Sequence, residues 1–280
     1  MGATLDTIAG RLVSIERLKG GASLIRCVSL PCAALLALSI ASSPHIRAAE
    51  PAKQEQSLYE CRWAAGPIKI DGDADEPAWR EAALLDKFMV HWNKGGPRPP
   101  RTATRARLLW DRDNLYFFAD MDDADLFADV TEQDGAAWTN DVFELFFKPS
   151  DDRSNYYEFE VNAANAILDM HVPARGRDMF LKYGRADAFH LETKVALRGT
   201  LNARDDTDRG WSVEGRIPWS DFGHTGGRPE AGAQWRFSLC RYDYSLAFGK
   251  PELSSSAPLT VADYHRYEDY APIRFVEAKK

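Results

Sequence analysis

Glu144 in the hydrophobic run 142–147 is followed by Glu158, Glu160 and Asn162 at alternate positions of the run 157–162. Period-two alternation sends successive side chains to opposite faces of a strand. The four polar groups therefore share one face, and Phe143, Leu145, Phe147, Tyr157, Phe159 and Val161 share the other. The polar loop 148–155 joins the two runs as a hairpin. Trp138 stands just before it, with Asn140 two residues on. Carboxylates and amides exchange hydrogen bonds with hydroxyls, and a flat indole stacks on the apolar C–H face of a pyranose. The set is suited to holding a sugar, although the wet face of any antiparallel sheet shows the same alternation. Two carboxylates are also what a glycosidase needs. Cross-strand neighbours, however, sit at a spacing set by the sheet, which is close for a pair flanking a bond. Hydrogen bonding to hydroxyls is the favoured role and no catalytic residue is assigned. As an enzyme the chain would be a hydrolase acting on O-glycosyl compounds.

A second cluster, Asp120, Asp122, Asp123 and Asp125, offers oxygen ligands of the kind calcium takes. It lacks the glycine and terminal glutamate of an EF-hand loop, so a solvated acidic turn is the alternative. Asp71, Asp73 and Asp75 read as turn and cap residues. There is no Gly-x-Ser-x-Gly elbow and no glycine loop to cradle phosphate.

The elements that must position these groups are short strands. The pattern predicts strands at 58–64, 68–70, 84–91, 104–110, 115–121, 166–172, 189–198, 211–217, 235–242 and 273–276, besides the hairpin. Helical turns are expected at 75–80, with Asp75 as N-cap and Pro77 in the first turn, and at 218–222. Many strands separated by turns, with almost no amphipathic helix, indicate an all-β antiparallel β-sandwich, jelly-roll-like, with short helical turns.

Of the 280 residues, 1–49 read as a signal peptide. Arg11, Arg17, Lys19 and Arg26 lead into an apolar run at 28–40 that is short for a membrane span. Small residues place cleavage near 43–49, and an uncleaved anchor is the other reading. Residues 50–57 form a linker and 58–277 a single domain. The expected location is periplasmic or extracellular. Removal of the leader leaves Cys61 and Cys240. They are read as a disulfide joining the first strand to a late one, or else as two separate buried thiols. A net charge of −7 argues against nucleic acid, whose phosphates need a basic surface.

Several motifs occur in a set order: Ile70-Asp71-Gly72 with Asp75 and Trp79, then Leu109-Trp110-Asp111 with Asn114-Leu115-Tyr116. Trp138, Asp141 to Glu144 and Tyr157 to Asn162 follow, then Gly210 to Glu214 with Ile217-Pro218-Trp219, and finally His265-Arg266-Tyr267 and Ile273-Arg274-Phe275. In this order the chain, over about 57–277, resembles the family 9 carbohydrate-binding modules. The resemblance implies a sugar-binding β-sandwich, often with structural calcium, that serves carbohydrate catabolism beside a separate glycoside hydrolase. Its ligand would be a mono- or oligosaccharide, and no cofactor is required. Some relatives clamp a glycan end between two tryptophans. Trp138 and Glu144 match the first ring and a hydrogen-bonding carboxylate, and Arg241 matches a frequent arginine. The second ring does not carry over, since Ser255-Ser256-Ala257-Pro258 stands in its place. Phe248, Tyr244 and Tyr264 are the candidates to replace it. Glu158 and Glu160 make the site more acidic than the type. The wider superfamily includes haem domains with Met/His ligation, which draws attention to Met170-His171, to Met89 with His91, and to Met179. A periplasmic haem-binding redox domain and an envelope protein-interaction module are therefore the alternatives.

Overall fold

The computed structural model describes residues 57–277. The export signal, its cleavage positions and nearly all of the linker lie outside the described residues. The strands are β1 (Tyr59–Trp63), β2 (Thr104–Trp110), β3 (Asn114–Met121), β4 (Val142–Lys148), β5 (Tyr156–Asn162), β6 (Ile167–Val172), β7 (Glu192–Leu197), β8 (Trp211–Pro218), β9 (Gln234–Asp243), β10 (Glu252–Ser255) and β11 (Ala271–Val276). Two short helices, α1 (Pro77–Glu81) and α2 (Met179–Tyr183), sit in the connections.

One hydrogen-bonded path runs β6-β5-β4-β9-β11-β1-β2-β3-β8-β7, and β10 attaches to β9. The long strand β9 makes the path turn. One of its edges pairs with β4 along most of its length, while the other is shared between β11 and β10. The sheet then curls over itself. Phe117 of β3 stacks on Phe143 of β4, ring centroids 6.4 Å apart, although four strands separate β3 from β4 along the path. The oily faces of β4 and β5 thus meet those of β2, β3 and β8 across one core, as their alternation requires.

The mainly β architecture matches expectation, with corrections. The sheet is mixed, because β1 runs parallel to both β11 and β2. Parallel neighbours need a long crossover, and 64–103 supplies it. The stretch 84–91 joins no ladder and makes only isolated bridges at Leu85, Met89 and Val90. Residues 68–70 are not a strand either. Instead the next two N–H groups, of Asp71 and Gly72, donate to Glu214 Oε2 at 2.9 and 3.1 Å. Trp79 Nε1 donates to Glu214 Oε1 at 2.9 Å, and Ser212 Oγ to the Gly72 carbonyl at 2.8 Å. One buried carboxylate thereby pins the Ile70-to-Trp79 motif onto β8. Glu76, not Asp75, precedes the first turn of α1, because Pro77 opens the helix. β10 lies outside the predicted strands. Cys61 and Cys240 are buried free thiols. Their strands are held two ladder spacings apart by β11, roughly 9.6 Å against the about 7 Å a disulfide can span.

Packing is tight at Gly215 of β8, directly opposite Phe117 in the ladder with β3, where an added Cβ would lie 2.3 Å from Phe117 Cζ. Gly215→Ala should lower stability by about 1–3 kcal/mol through overpacking, read as an earlier urea midpoint. An unchanged midpoint would show that Phe117 yields freely.

Candidate functional site

On the outer face of the hairpin, Glu144 of β4 stands directly opposite Glu160 of β5, and Glu158 lies one pleat further along. Two segments cover this face, which corrects the expectation of an open polar shelf. The first, 173–186, carries α2. The second, 256–270, leads into β11. They are tied together by Arg175, whose guanidinium donates to both oxygens of Glu268 at 2.9 and 2.8 Å and to the His265 carbonyl at 2.9 Å. Tyr156 anchors the cover from below, its hydroxyl 2.9 Å from His265 Nδ1. Between sheet and cover is a cavity of about 400 Å³.

The three glutamates form its floor. They are 2–3% exposed, and each can offer one oxygen within 4.8 Å of the others. Glu158 Oε2 and Glu160 Oε2 have no hydrogen-bond partner. Burial pushes the carboxyls of Glu144 and Glu160 well above the usual range, and the neighbouring carboxylates push them further. Glu158 is also raised by burial, but His265, 3.7 Å away, partly offsets this. Aromatic walls come from Trp138, Phe180, Tyr242 and Tyr264, with Met170 and Met179 filling between them. Exposed Asp178 and Asp263 stand at the rim.

Trp138 is half-buried on a single 3-10 turn, Ala137–Thr139, with its ring edge-to-face on Phe180 at 4.8 Å and 78°. Phe180 is thus the ring beside the indole. Of the proposed second rings, Tyr264 lines the cavity, whereas Phe248 and Tyr244 line other depressions. Tyr244 instead supports Trp138 by donating its hydroxyl to the Trp138 carbonyl at 2.9 Å.

Asn140 and Asn162 do not reach the cavity. Asn140 Oδ1 accepts from Val130 N–H at 3.0 Å and from Asn162 Nδ2 at 2.9 Å, and its amide donates to Asp129 at 2.7 Å. Asn162 also donates to the Val130 carbonyl and accepts from Ala164 and Ala166 N–H groups. Both amides are spent on holding the loop that carries Trp138.

Arg241 lies on the opposite face. In the register of β9 it faces Phe143, while Cys240 faces Glu144. It is 1% exposed and sits 3.0 Å from Asp123 and 3.2 Å from Asp243. Asp141 completes that cluster. Burial, and then the Asp123 charge, push the Asp141 carboxyl up to about 9. Asp120, Asp122, Asp123 and Asp125 do not converge. Asp120 and Asp122 pair with Arg105, Asp120 also with Arg198, Asp123 with Arg241 and Asp125 with Arg204. Four carboxylates drawn apart by arginines do not fit a calcium cage. Met170 faces the cavity, while His171, next along β6, stacks on His224 on the other side at 4.0 Å. Met89 and His91 line a separate depression.

The chain's sequence matches the carbohydrate family 9 binding domain-like family over residues 70–266. This protein belongs to that family. Three solved structures share its fold. A putative carbohydrate-binding protein from Bacteroides uniformis ATCC 8492 aligns with a TM-score of 0.59 at 17% identity, covering 78% of this chain and 97% of that one. A family 9 carbohydrate-binding module from Caldicellulosiruptor kristjanssonii in complex with cellotriose aligns with a TM-score of 0.55 at 16% identity, covering 80% and 96%. Its glucose complex gives 0.55 at 16%, covering 79% and 97%. No curated protein matches.

Sequence reading missed Phe180, Tyr242, Met170 and Met179 as walls and His265 as a neighbour of Glu158. Tyr242 was within reach, since it alternates with Arg241 and shares the face of Cys240. Phe180 and His265 sit on covering segments whose placement no local pattern encodes.

The raised carboxyls give a pH signature. A carboxyl whose folded pKa lies above its unfolded value, near about 4.3, contributes stability that is full below that value. The contribution is lost as pH rises through the folded pKa. Glu160→Gln removes the titration and keeps a donor toward Glu158. Its Tm should equal that of the wild type near about pH 4 and exceed it increasingly toward about pH 8, by roughly 2–4 °C per kcal/mol recovered. Parallel Tm–pH curves in differential scanning calorimetry would contradict this.

Proposed function

We propose that this protein binds a carbohydrate in the cavity between the hairpin and its cover, without turning it over. The observation that carries the reading is one cavity of about 400 Å³, in a chain of this family, that joins a half-exposed tryptophan to three carboxyl groups. Trp138 offers a platform for the C–H face of a pyranose ring. Glu144, Glu158 and Glu160 offer acceptors to its hydroxyls. Concave sites with aromatic walls and a few convergent polar groups are the usual form of small-ligand pockets. The three carboxyls gather on one wall. A glycosidase needs its two on opposite sides of a bond, so binding is favoured over hydrolysis.

The relatives solved with cellotriose and glucose make β-1,4-linked glucans the first ligands to try. The sequence leader supports export, and family resemblance supports a separate glycoside hydrolase as the functional companion. Retention on a glycan array tests the reading. Wild-type protein should be retained, and Trp138→Ala should weaken binding by about tenfold or more, as loss of a buried aromatic anchor does. Far-ultraviolet circular dichroism should stay unchanged. Undiminished retention of the variant would remove Trp138 from the site, and no retention of the wild type on any glycan would overturn the function.

A further inference from the structure

The structure buries two groups of three carboxylates, one at the ends of β3, β4 and β9 and one on the outer face of β4 and β5. The first, Asp123, Asp141 and Asp243, receives the guanidinium of Arg241. The second, Glu144, Glu158 and Glu160, receives no such cation. Among the described residues, neither lysine nor arginine lines its cavity, and His265 is the one basic side chain there. Glu158 Oε2 and Glu160 Oε2, on cavity-lining side chains 96% or more buried, have no hydrogen-bond partner, and Glu158 Oε2 has only His265 Nδ1 at 3.7 Å. Buried carboxylates are paired or strongly unfavourable. Where the fold gives one such cluster an arginine of its own, it leaves the other to be completed from outside.

The spacing describes the missing group. An ammonium making three charge-assisted hydrogen bonds of about 2.8 Å at tetrahedral angles places its acceptors roughly 4.6 Å apart. The three glutamates can present oxygens within 4.8 Å of one another. A bare metal ion would satisfy the charges but would leave the aromatic walls and most of the about 400 Å³ unused. An organic cation uses both, with its carbon skeleton against Trp138 and its charge on the floor. Exposed Asp178 and Asp263 at the rim add a negative field that favours entry of a cation.

We propose that the cavity selects a positively charged sugar, an amino sugar whose ammonium sits among Glu144, Glu158 and Glu160. This rests on the carbohydrate reading and names the sugar class. Three β-1,4 disaccharides that differ only at C2 test it: the disaccharide of glucosamine, its N-acetylated form, and cellobiose. Each is titrated calorimetrically into the full chain, dialysed against chelator, at about pH 5.5, where the ring amine, less basic than lysine because of its neighbouring oxygens, is protonated. The amino disaccharide should bind at least about tenfold tighter than the other two, about 1.4 kcal/mol. Glu160→Gln and, separately, Glu158→Gln should each reduce that ratio severalfold. If either variant fails to fold, the other carries the comparison. Cellobiose or the N-acetylated form binding as tightly as the amino form would overturn the charge assignment and leave the carbohydrate reading standing. An unchanged ratio in a folded variant would also overturn it. Binding of calcium or manganese alone, with no disaccharide bound, would overturn both readings, as would no binding of any kind.

Discussion

Three carboxyl groups gathered within 4.8 Å and closed off from bulk water set the terms for this molecule. Water can no longer spread their charge, so ionising all three together is strongly unfavourable. The sheet that carries them must be stable enough to tolerate the arrangement. That stability comes from the other side of the same strands. Phe143, Leu145, Phe147, Tyr157 and Phe159 are fully buried there, and Trp110, Trp219, Trp235, Phe222 and Phe275 meet edge-to-face or tilted at 4.9–6.3 Å. Each such pair adds about 0.5–1.5 kcal/mol beyond area burial. Strand alternation separates the two tasks, one face for cohesion and one for the ligand.

Buried charge is handled in three ways. Glu214 is satisfied by three donors from a distant segment and acts as a fastener between Gly72, Trp79 and β8. The aspartate cluster around Asp141 is partly offset by Arg241. The glutamate floor is left unbalanced beneath a cover fastened by Arg175 and Glu268. Among the described residues, the third is the one of these that lines a cavity a ligand could fill.

Most of the fold was legible because alternation and turn residues are local signals. The hairpin from β4 to β5 followed directly, as did the shared face of Glu144, Glu158 and Glu160. What escaped depended on distant partners. The stretch 84–91 has the composition of a strand but meets the edges of β2 and β10 only at single bridges, Leu85 to Ala106 and Met89 to Ser255. Asn140 and Asn162 look like sugar contacts until the loop at Val130 consumes their amides. Arg241 was placed on the wrong face because its role was carried from resemblance, whereas counting alternate residues along β9 separates it from the glutamates. The cover over the floor was invisible, since nothing local in 173–186 or 256–270 says where those segments land.

The two sealed thiols have a practical meaning. Cys61 and Cys240 are fully buried, and burial pushes both well up, away from the reactive thiolate. A thiol reagent can reach them only when the chain opens. One sits at the parallel seam beside β11 and the other on the strand around which the sheet turns, beside Glu144 of the glutamate floor. The native protein thus carries a pair of chemical stopwatches, which time the loosening of its two halves separately.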